Sequence, residues 1–409
     1  MKPMTDLTPL EDALRVVLEK SEPLETETVS LPEALGRFLA EDVRADTDKP
    51  LFDNSAMDGF AVRSADLAGA SEERPAKLKL TGESSAGSGE SLRVQEGTAV
   101  KIFTGAPIPE GADAVVPVEY TEVRDGFVYV KRSFGRGANV RFRGEDVRKG
   151  DLILSRGQEV RAYEVGLLAS VNRAVVRVYR RPRVAILSTG DELLEVGEPQ
   201  TRPSQIRSSN HHMLRSLVEG AGGVPCVLGI APDDPEQLLG WLRTCSRYDV
   251  FITTGGVSMG ERDYVQHLVG KAGIKVLFHR LRIKPAKPVL FGTYGGGGLF
   301  FGLPGNPVSC AVAFDLLVYP AIRSMLGARE VFRRKVKALL VGGYSRRDAK
   351  RREFARARVW FDGRAYRCEP LPKQQSHMLT SYVGANAYLI VQEGVRELRE
   401  GEEVEVILL

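Results

Sequence analysis

The chain has 409 residues, 43% hydrophobic and 27% charged, with a formal net charge of +4. That length accommodates two to four domains with real cores, and the composition is that of an ordinary soluble globular protein. No run approaches the roughly 18 apolar residues of a membrane span. Four scattered cysteines (Cys226, Cys245, Cys310, Cys368) without a CxxC pair exclude a disulfide framework or a cysteine zinc site.

The opening MKPMTDLTPLEDAL lacks the apolar segment of a signal peptide, which points to the cytoplasm. Thr8-Pro9-Leu10-Glu11 has a capping residue, a proline at the first helical position and an acid three residues after the cap. Leu10, Leu14, Val17 and Leu18 then form one apolar stripe, so a helix is expected there. A second short helix is expected near Pro32–Ala40. From Leu51 to Val147 short alternating strands broken by Gly and Pro predict a β-rich insert.

From Arg183 the rhythm becomes strand–helix–strand. Strands are expected at Val184–Leu187, Val224–Ile230, Val250–Ile252, Lys275–Leu281, Val289–Gly292 and Leu299–Phe301. Helices are expected at Ser209–Glu219, Pro235–Arg243, Tyr264–Gly270 and from LPGNPVS to Leu326. Gly295–Gly298 reads as a hairpin turn. The alternation predicts a mostly parallel, three-layer α/β domain. After Gly327 the β texture returns at Val336–Val341, Phe354–Trp360, Ala387–Val391 and Glu403–Leu408, which predicts a small barrel or sandwich. Residues 328–409 carry 17 Lys and Arg against 11 Asp and Glu. Such a balance suits a solvated basic face, a small anionic substrate or nucleic acid.

Chemistry concentrates on three strand-end loops: STGDEL (Ser188–Leu193), TTGGVSMGERD (Thr253–Asp263) and LPGNPVS (Leu303–Ser309). Ligands of open α/β sheets bind outside the carboxyl ends of strands, where such loops converge. Gly255, Gly256 and Gly260 allow close backbone approach to an anion, while Glu261 and Asp263 add carboxylates that a plain phosphate cradle would not need. The mixture suggests a phosphate-bearing substrate handled with a metal ion. Neither GxxxxGK[ST] nor GxGxxG occurs.

Together SAMDGFAV (Ser55–Val62), KIFTGAPIPEGADAVV (Lys101–Val116), RGEDV, STGDEL, TTGGVSMGERD, IKPAKP and GLPGNPVS occur in an order that resembles the molybdopterin molybdenumtransferase (MoeA) family, related to the E domain of gephyrin. The resemblance covers nearly the whole chain. It implies insertion of molybdate into adenylylated molybdopterin with release of AMP. It also implies a homodimer of four-domain subunits whose active site is completed by the partner chain. The domain order it suggests is an α/β molybdopterin-binding domain (1–24 and 178–327), a linking domain (25–50 and 148–177), the β-rich insert (51–147) and a C-terminal β-barrel (328–409).

Matched motif by motif, the family's acidic set falls on Asp58, Asp146, Glu192, Asp233 and Asp263. The resemblance implies that Glu192 and Asp263 help hold Mg²⁺ and the phosphates, with Asp58 and Asp146 facing the metal-insertion centre from the partner. Its substrate-contacting positions fall on Thr104, Thr189, Gly255, Gly256, Ser258, Arg280, Lys284, Pro304, Asn306, Arg356 and Ser376. Arg280 stands where some relatives carry lysine, and the two are not interchangeable. Plain alternatives accompany several positions. Asp233 and Asp234 precede Pro235 and suit a helix cap. Asp58 before Gly59 suits a turn, and Thr104 suits a turn cap. His377 reads as a loop histidine. His211 and His212 diverge by about 100° as helix neighbours, which disfavours a chelating pair. Adenylylation of molybdopterin and a scaffolding role remain open as alternative functions. Nucleic-acid binding is disfavoured because few aromatics interleave the basic runs.

Overall fold

A computed structural model describes residues 7–87, 92–256 and 264–409. The α/β unit is a six-stranded sheet of β1 (Arg183–Thr189), β2 (Val224–Ala231), β3 (Val250–Thr254), β4 (Lys275–His279), β5 (Leu290–Tyr294) and β6 (Gly298–Leu303). Their spatial order is β2-β1-β3-β6-β5-β4. The first four are mutually parallel; β5 alone is reversed, joined to β6 by the expected glycine hairpin and pairing antiparallel with both β6 and β4. Among the described residues five helices belong to this unit: α1 (Leu10–Lys20), α2 (Asn210–Ala221), α3 (Pro235–Leu242), α4 (Tyr264–Leu268) and α5 (Pro307–Met325).

The layers follow from the strand period of two. On β1, Val184 and Ile186 face the core shared with α1, α2 and α5, while Ala185 and Leu187 face the core shared with α3 and α4. Register brings phenylalanines together on both faces. Phe251 stacks on Phe300 at a centroid distance of 6.1 Å, and Phe291 meets Phe301 at 4.9 Å. Each such pair contributes about 0.5–1.5 kcal/mol beyond its area burial.

Helix α5 corrects the composition reading. Its 19 residues are long and apolar enough to cross a membrane by length and composition, yet 83% of its most apolar window is buried inside the fold. A helix apolar on all sides is here the core helix of a layered domain.

Two local expectations also change. Helix α1 starts at Leu10 with Pro9 at the cap position, because Thr8 is drawn into extended pairing. The Thr8 amide donates to the Arg280 carbonyl, and Thr8 O accepts from the Arg282 amide. The helix expected at Pro32–Ala40 is a single turn, Leu31–Ala34, capped by Ser30 and Glu33. Gly36 at φ 71° ends it, and Phe38 and Leu39 then bridge to Glu159 and Val178.

The insert forms its own six-stranded sheet, running from Ala114–Pro117 through Gly59–Val62, Thr98–Ile102, Ala76–Ser84 and Phe127–Val130 to Thr121–Arg124. A small core around Val29, Leu39, Val43, Leu168 and Val178 lies between it and the α/β unit in sequence. At the C-terminal end, Lys335–Leu340, Arg352–Phe361, Tyr366–Pro370, Ala387–Val391 and Glu403–Leu408 pair around a ring and close a five-stranded barrel. Two joints fix that barrel against the α/β unit. Ile283–Lys284 adds a short parallel strand beside Arg352 and Glu353. The Val308 amide in the first turn of α5, which has no partner within its helix, donates to the Ser376 carbonyl at 3.0 Å.

Candidate functional site

The chain leaves β1 for β2 on one side and returns to β3 on the other, so the sheet has its topological switch point between β1 and β3. At that point a cleft of about 640 Å³ opens, lined by the ends of β1, β3 and β6 and by the start of α2. Its floor requires glycine. Gly255 has φ 100°, and a Cβ there would lie 2.7 Å from Thr189 O and 2.8 Å from Thr189 Oγ1. Gly256 has φ 65°, and its Cβ would meet Val265 Cγ2 at 2.8 Å. Side chains are therefore excluded from the surface a ligand would touch.

Hydrogen bonds then pin the loops to one another. Asn210 Nδ2 donates to Thr254 Oγ1 at 2.7 Å and to Gly305 O at 2.8 Å, and Thr254 Oγ1 donates to Pro304 O at 3.2 Å. One buried amide thus ties α2, β3 and the loop after β6. The loops after β1 and β2 are joined reciprocally: the Asp191 amide donates to Asp233 Oδ2 and the Asp233 amide to Asp191 Oδ1. Thr189 is 5% exposed, and among the described residues its Oγ1 has no hydrogen-bond partner. That hydroxyl is buried directly beneath the glycine floor, 2.8 Å from where a Cβ on Gly255 would lie.

Glu192 and Asp233 stand at the rim, with Pro304, Asn306 and His377. Pro288, Pro304, Asn306 and His377 are shared with an adjoining cavity of about 540 Å³. This second compartment has the opposite character: Lys284, Lys287 and Arg351 line it, together with Ser376, and among the described residues no carboxylate does. Lys284 is also paired with buried Glu353 at 3.0 Å, which holds its amine at the barrel joint. Between the lysines Ala286 adopts φ 72°, a conformation costing a non-glycine residue of order 1–2 kcal/mol. One compartment therefore offers oxygen ligands for a cation, and the other offers cations for an oxyanion.

Thr189, Gly255, Gly256, Glu192, Asp233, Pro304 and Asn306 come together in the first compartment, and Lys284 and Ser376 in the second. Ser258 and Asp263 lie outside the described residues. Asp58, Thr104 and Asp146 do not line either compartment within one chain. Asp58 accepts from the Thr104 amide at 2.7 Å and from its hydroxyl at 2.8 Å, and the Thr104 amide chiefly holds its carboxyl below the ordinary range. Asp146 pairs with Lys49 at 3.1 Å on the exposed face of the insert. Asp234, as its sequence context predicts, caps α3 by accepting from the Gln237 amide at 2.8 Å.

Two basic residues of the expected set lie outside both linings. Arg356 is 1% exposed, and its guanidinium donates to Ser381 Oγ, Phe354 O and Lys373 O. Its strand position shares the outer face with Phe354, opposite Ala355 and Ala357 of the barrel core, and there protein acceptors hold it. Arg280, at φ 72°, is outside both linings; its backbone joins Val289 and Thr8.

Three contributors were not found from sequence. Asn210 looks like any polar residue opening a helix, and only its contacts reveal it. Lys287 is three residues from Lys284, a spacing without meaning until the loop is folded. His377, read as an ordinary loop histidine, lines both compartments.

Comparison with known proteins agrees along the chain. Residues 8–172 match the family model "MoeA N-terminal region (domain I and II)", 185–324 match "Probable molybdopterin binding domain", and 342–409 match "MoeA C-terminal region (domain IV)". A molybdopterin molybdenumtransferase of Bacillus subtilis is 37% identical over 406 residues, covering 98% of this chain and 94% of that protein. One of Staphylococcus aureus is 34% identical over 402 residues, covering 98% and 95%. The crystal structure of a molybdopterin biosynthesis moeA protein from Pyrococcus horikoshii superposes with a TM-score of 0.84 at 34% identity, covering 99% of this chain and 100% of that one.

Proposed function

This chain belongs to the MoeA family of molybdopterin molybdenumtransferases, and from that premise we propose that its cleft takes adenylylated molybdopterin beside molybdate and releases AMP. It is a transferase of molybdenum cofactor biosynthesis that inserts molybdenum into molybdopterin. The observation that carries the finer reading is the adjacency of two unlike compartments sharing Pro304, Asn306 and His377. A phosphate-bearing pterin suits the glycine floor and the Thr189 hydroxyl, and a tetrahedral oxyanion suits the Lys284, Lys287 and Arg351 side.

In this reading the glycine floor, Asn210 and the start of α5 orient the phosphates, while Lys284 and Ser376 hold the oxyanion against the dithiolene. An oxygen nucleophile, water or an oxygen of molybdate, forms a new P–O bond as the phosphoanhydride breaks, and AMP leaves with its phosphate while the pterin keeps its own. The two sulfurs that replace oxygen ligands of molybdate come from the pterin. No protein thiolate is called for, and burial pushes the Cys310 thiol behind the cleft up to about 12, so it stays protonated. The donor set at the rim suits Mg²⁺, with hard carboxylate oxygens of Glu192 and Asp233 at an open mouth. Such an ion supplies charge neutralisation on the phosphates being separated.

Asp58, Thr104 and Asp146 complete the site from a second copy of the chain in a homodimer. The support is their exposure on the insert, away from their own chain's cleft, and the occurrence of the motifs that carry them. A cytoplasmic setting suits the four cysteines, all of which are unpaired.

The deciding experiment supplies molybdopterin adenylate with and without molybdate and follows AMP. Molybdate-dependent release is expected, and Asp263→Asn should bind the substrate yet lose AMP release. AMP release indifferent to the oxyanion, or MgATP consumption with bare molybdopterin, would overturn the reading in favour of adenylylation chemistry.

A further inference from the structure

Behind the cleft, three metal-ligating side chains converge that neither the sequence spacing nor the proposed reaction uses. His212 Nε2 lies 2.8 Å from Glu195 Oε1, and His211 Nε2 lies 3.1 Å from Glu195 Oε2. All three donor atoms lie within 4.8 Å of one another. The expected divergence of adjacent helix residues is overcome because their rings fold toward the same side, with centroids 4.2 Å apart at 46°. Glu195 then reaches both from the loop that follows β1.

The second observation is His211 itself. It is 1% exposed, and its Nε2 makes no aligned hydrogen bond among the described residues despite the nearby carboxylate. On the opposite side of the ring, Nδ1 lies 2.9 Å from Ser208 Oγ and 3.3 Å from Ser188 Oγ, and Ser208 Oγ donates to Ser188 Oγ. In the tautomer with its proton on Nδ1, facing that hydroxyl pair, the Nε2 lone pair would be directed at Glu195. A lone pair facing a carboxylate is an unfavourable contact that a bound cation converts into ligation. An outer-shell bond fixing the tautomer through Nδ1 is the usual arrangement for a ligating histidine.

We infer that Glu195, His211 and His212 form a binding site for a divalent transition-metal cation of the Zn²⁺ class, separate from the Mg²⁺ and molybdate of the proposed reaction. Two imidazoles and one carboxylate form a donor set favoured by Zn²⁺, with a fourth position left for water on the exposed His212 side. Bond lengths of about 2.0–2.2 Å in a tetrahedral site separate the donors by roughly 3.4 Å. The observed 2.8 and 3.1 Å contacts, one to each Glu195 oxygen, and donors lying within 4.8 Å of one another bracket that spacing.

The consequence lies in the loop. Glu195 sits just past Leu193–Leu194, which pairs with Ile206–Arg207, and three residues before it is Glu192 at the cleft rim. The ion clamps that strand to the first turn of α2 and braces the segment presenting Glu192.

The test uses the full chain after chelator treatment, titrated with Co²⁺ and then Zn²⁺. One Co²⁺ per chain with the visible absorption of a low-coordinate, imidazole-bound ion is expected, displaced by Zn²⁺ but not by a roughly 1,000-fold excess of Mg²⁺. His212→Ala and Glu195→Gln should each weaken Co²⁺ binding about 100-fold or more, and Ser208→Ala about 10-fold. The unmodified chain provides a check independent of any variant: of its five histidines, Zn²⁺ should shift the imidazole resonances of His211 and His212 alone. Absence of saturable one-to-one binding, or perturbation of a different histidine pair, overturns the site. Unchanged affinity in folded His212→Ala and Glu195→Gln does the same.

Discussion

Gly255→Ala tests the cleft floor most directly. A side chain at φ 100° costs of order 1–3 kcal/mol in backbone strain. The new methyl would also sit 2.7 Å from the Thr189 carbonyl oxygen and 2.8 Å from its hydroxyl, both on the rigid end of β1. Overpacking of that kind costs about 1–3 kcal/mol. The two add to roughly 2–6 kcal/mol, and whatever relaxation occurs pushes β1 and β3 apart at the proposed phosphate site. Denaturant unfolding of the variant should show that loss, and molybdopterin adenylate should bind at least about tenfold more weakly, the equivalent of 1.4 kcal/mol. Gly295→Ala is the matched control. It has no positive φ and no atom within 4 Å of the added carbon, so it should behave as the parent. A Gly255→Ala chain within about 0.5 kcal/mol of the parent, with unchanged substrate affinity, would refute the close-approach argument, since ordinary surface changes fall in that range.

Asn210→Ala removes the amide joining Thr254 and Gly305 and should cost about 1–3 kcal/mol; molybdate-dependent AMP release should show a raised KM before a lowered kcat. Arg333→Leu strips buried Asp315 of its 2.6 Å partner and should cost about 3–5 kcal/mol by unfolding at neutral pH. Burial, opposed by Arg333, already holds the Asp315 carboxyl above its ordinary range, so the variant should recover stability as pH falls and the carboxyl neutralises. Asp249 runs the other way. Burial alone would raise its pKa, but bidentate Arg180 and the Arg183 amide outweigh burial and lower it below 3.8. Its contribution is therefore complete above that value and lost as pH falls through the lowered pKa; acid unfolding of Arg180→Met should lack this part of the slope.

The legible parts of this protein were those set by short-range patterns. Apolar runs marked every strand of the central sheet, and Pro307 after Asn306 marked the start of α5. Where prediction slipped, a distant partner had taken over: Thr8 left its capping role for Arg280 and Arg282, and Phe38 and Leu39 left a helix for Glu159 and Val178. Arg356 illustrates the same limit at the level of function. The family resemblance suggested an anion contact, but the strand places it on the outer face with Phe354, where backbone and hydroxyl oxygens hold it.

By itself the amino-acid sequence determined the glycine turns, the order of the motifs and the family, because these depend on residue type and local spacing. The tertiary structure alone decided which groups share a space. It set the carboxylate rim of Glu192 and Asp233 beside a compartment of Lys284, Lys287 and Arg351, and it drew the loop bearing Glu195 onto His211 and His212. The physical reason is that loop ends and barrel joints are positioned by contacts between residues tens to hundreds of positions apart, such as Asn210 with Gly305 and Val308 with Ser376, and no periodicity along the chain encodes those meetings.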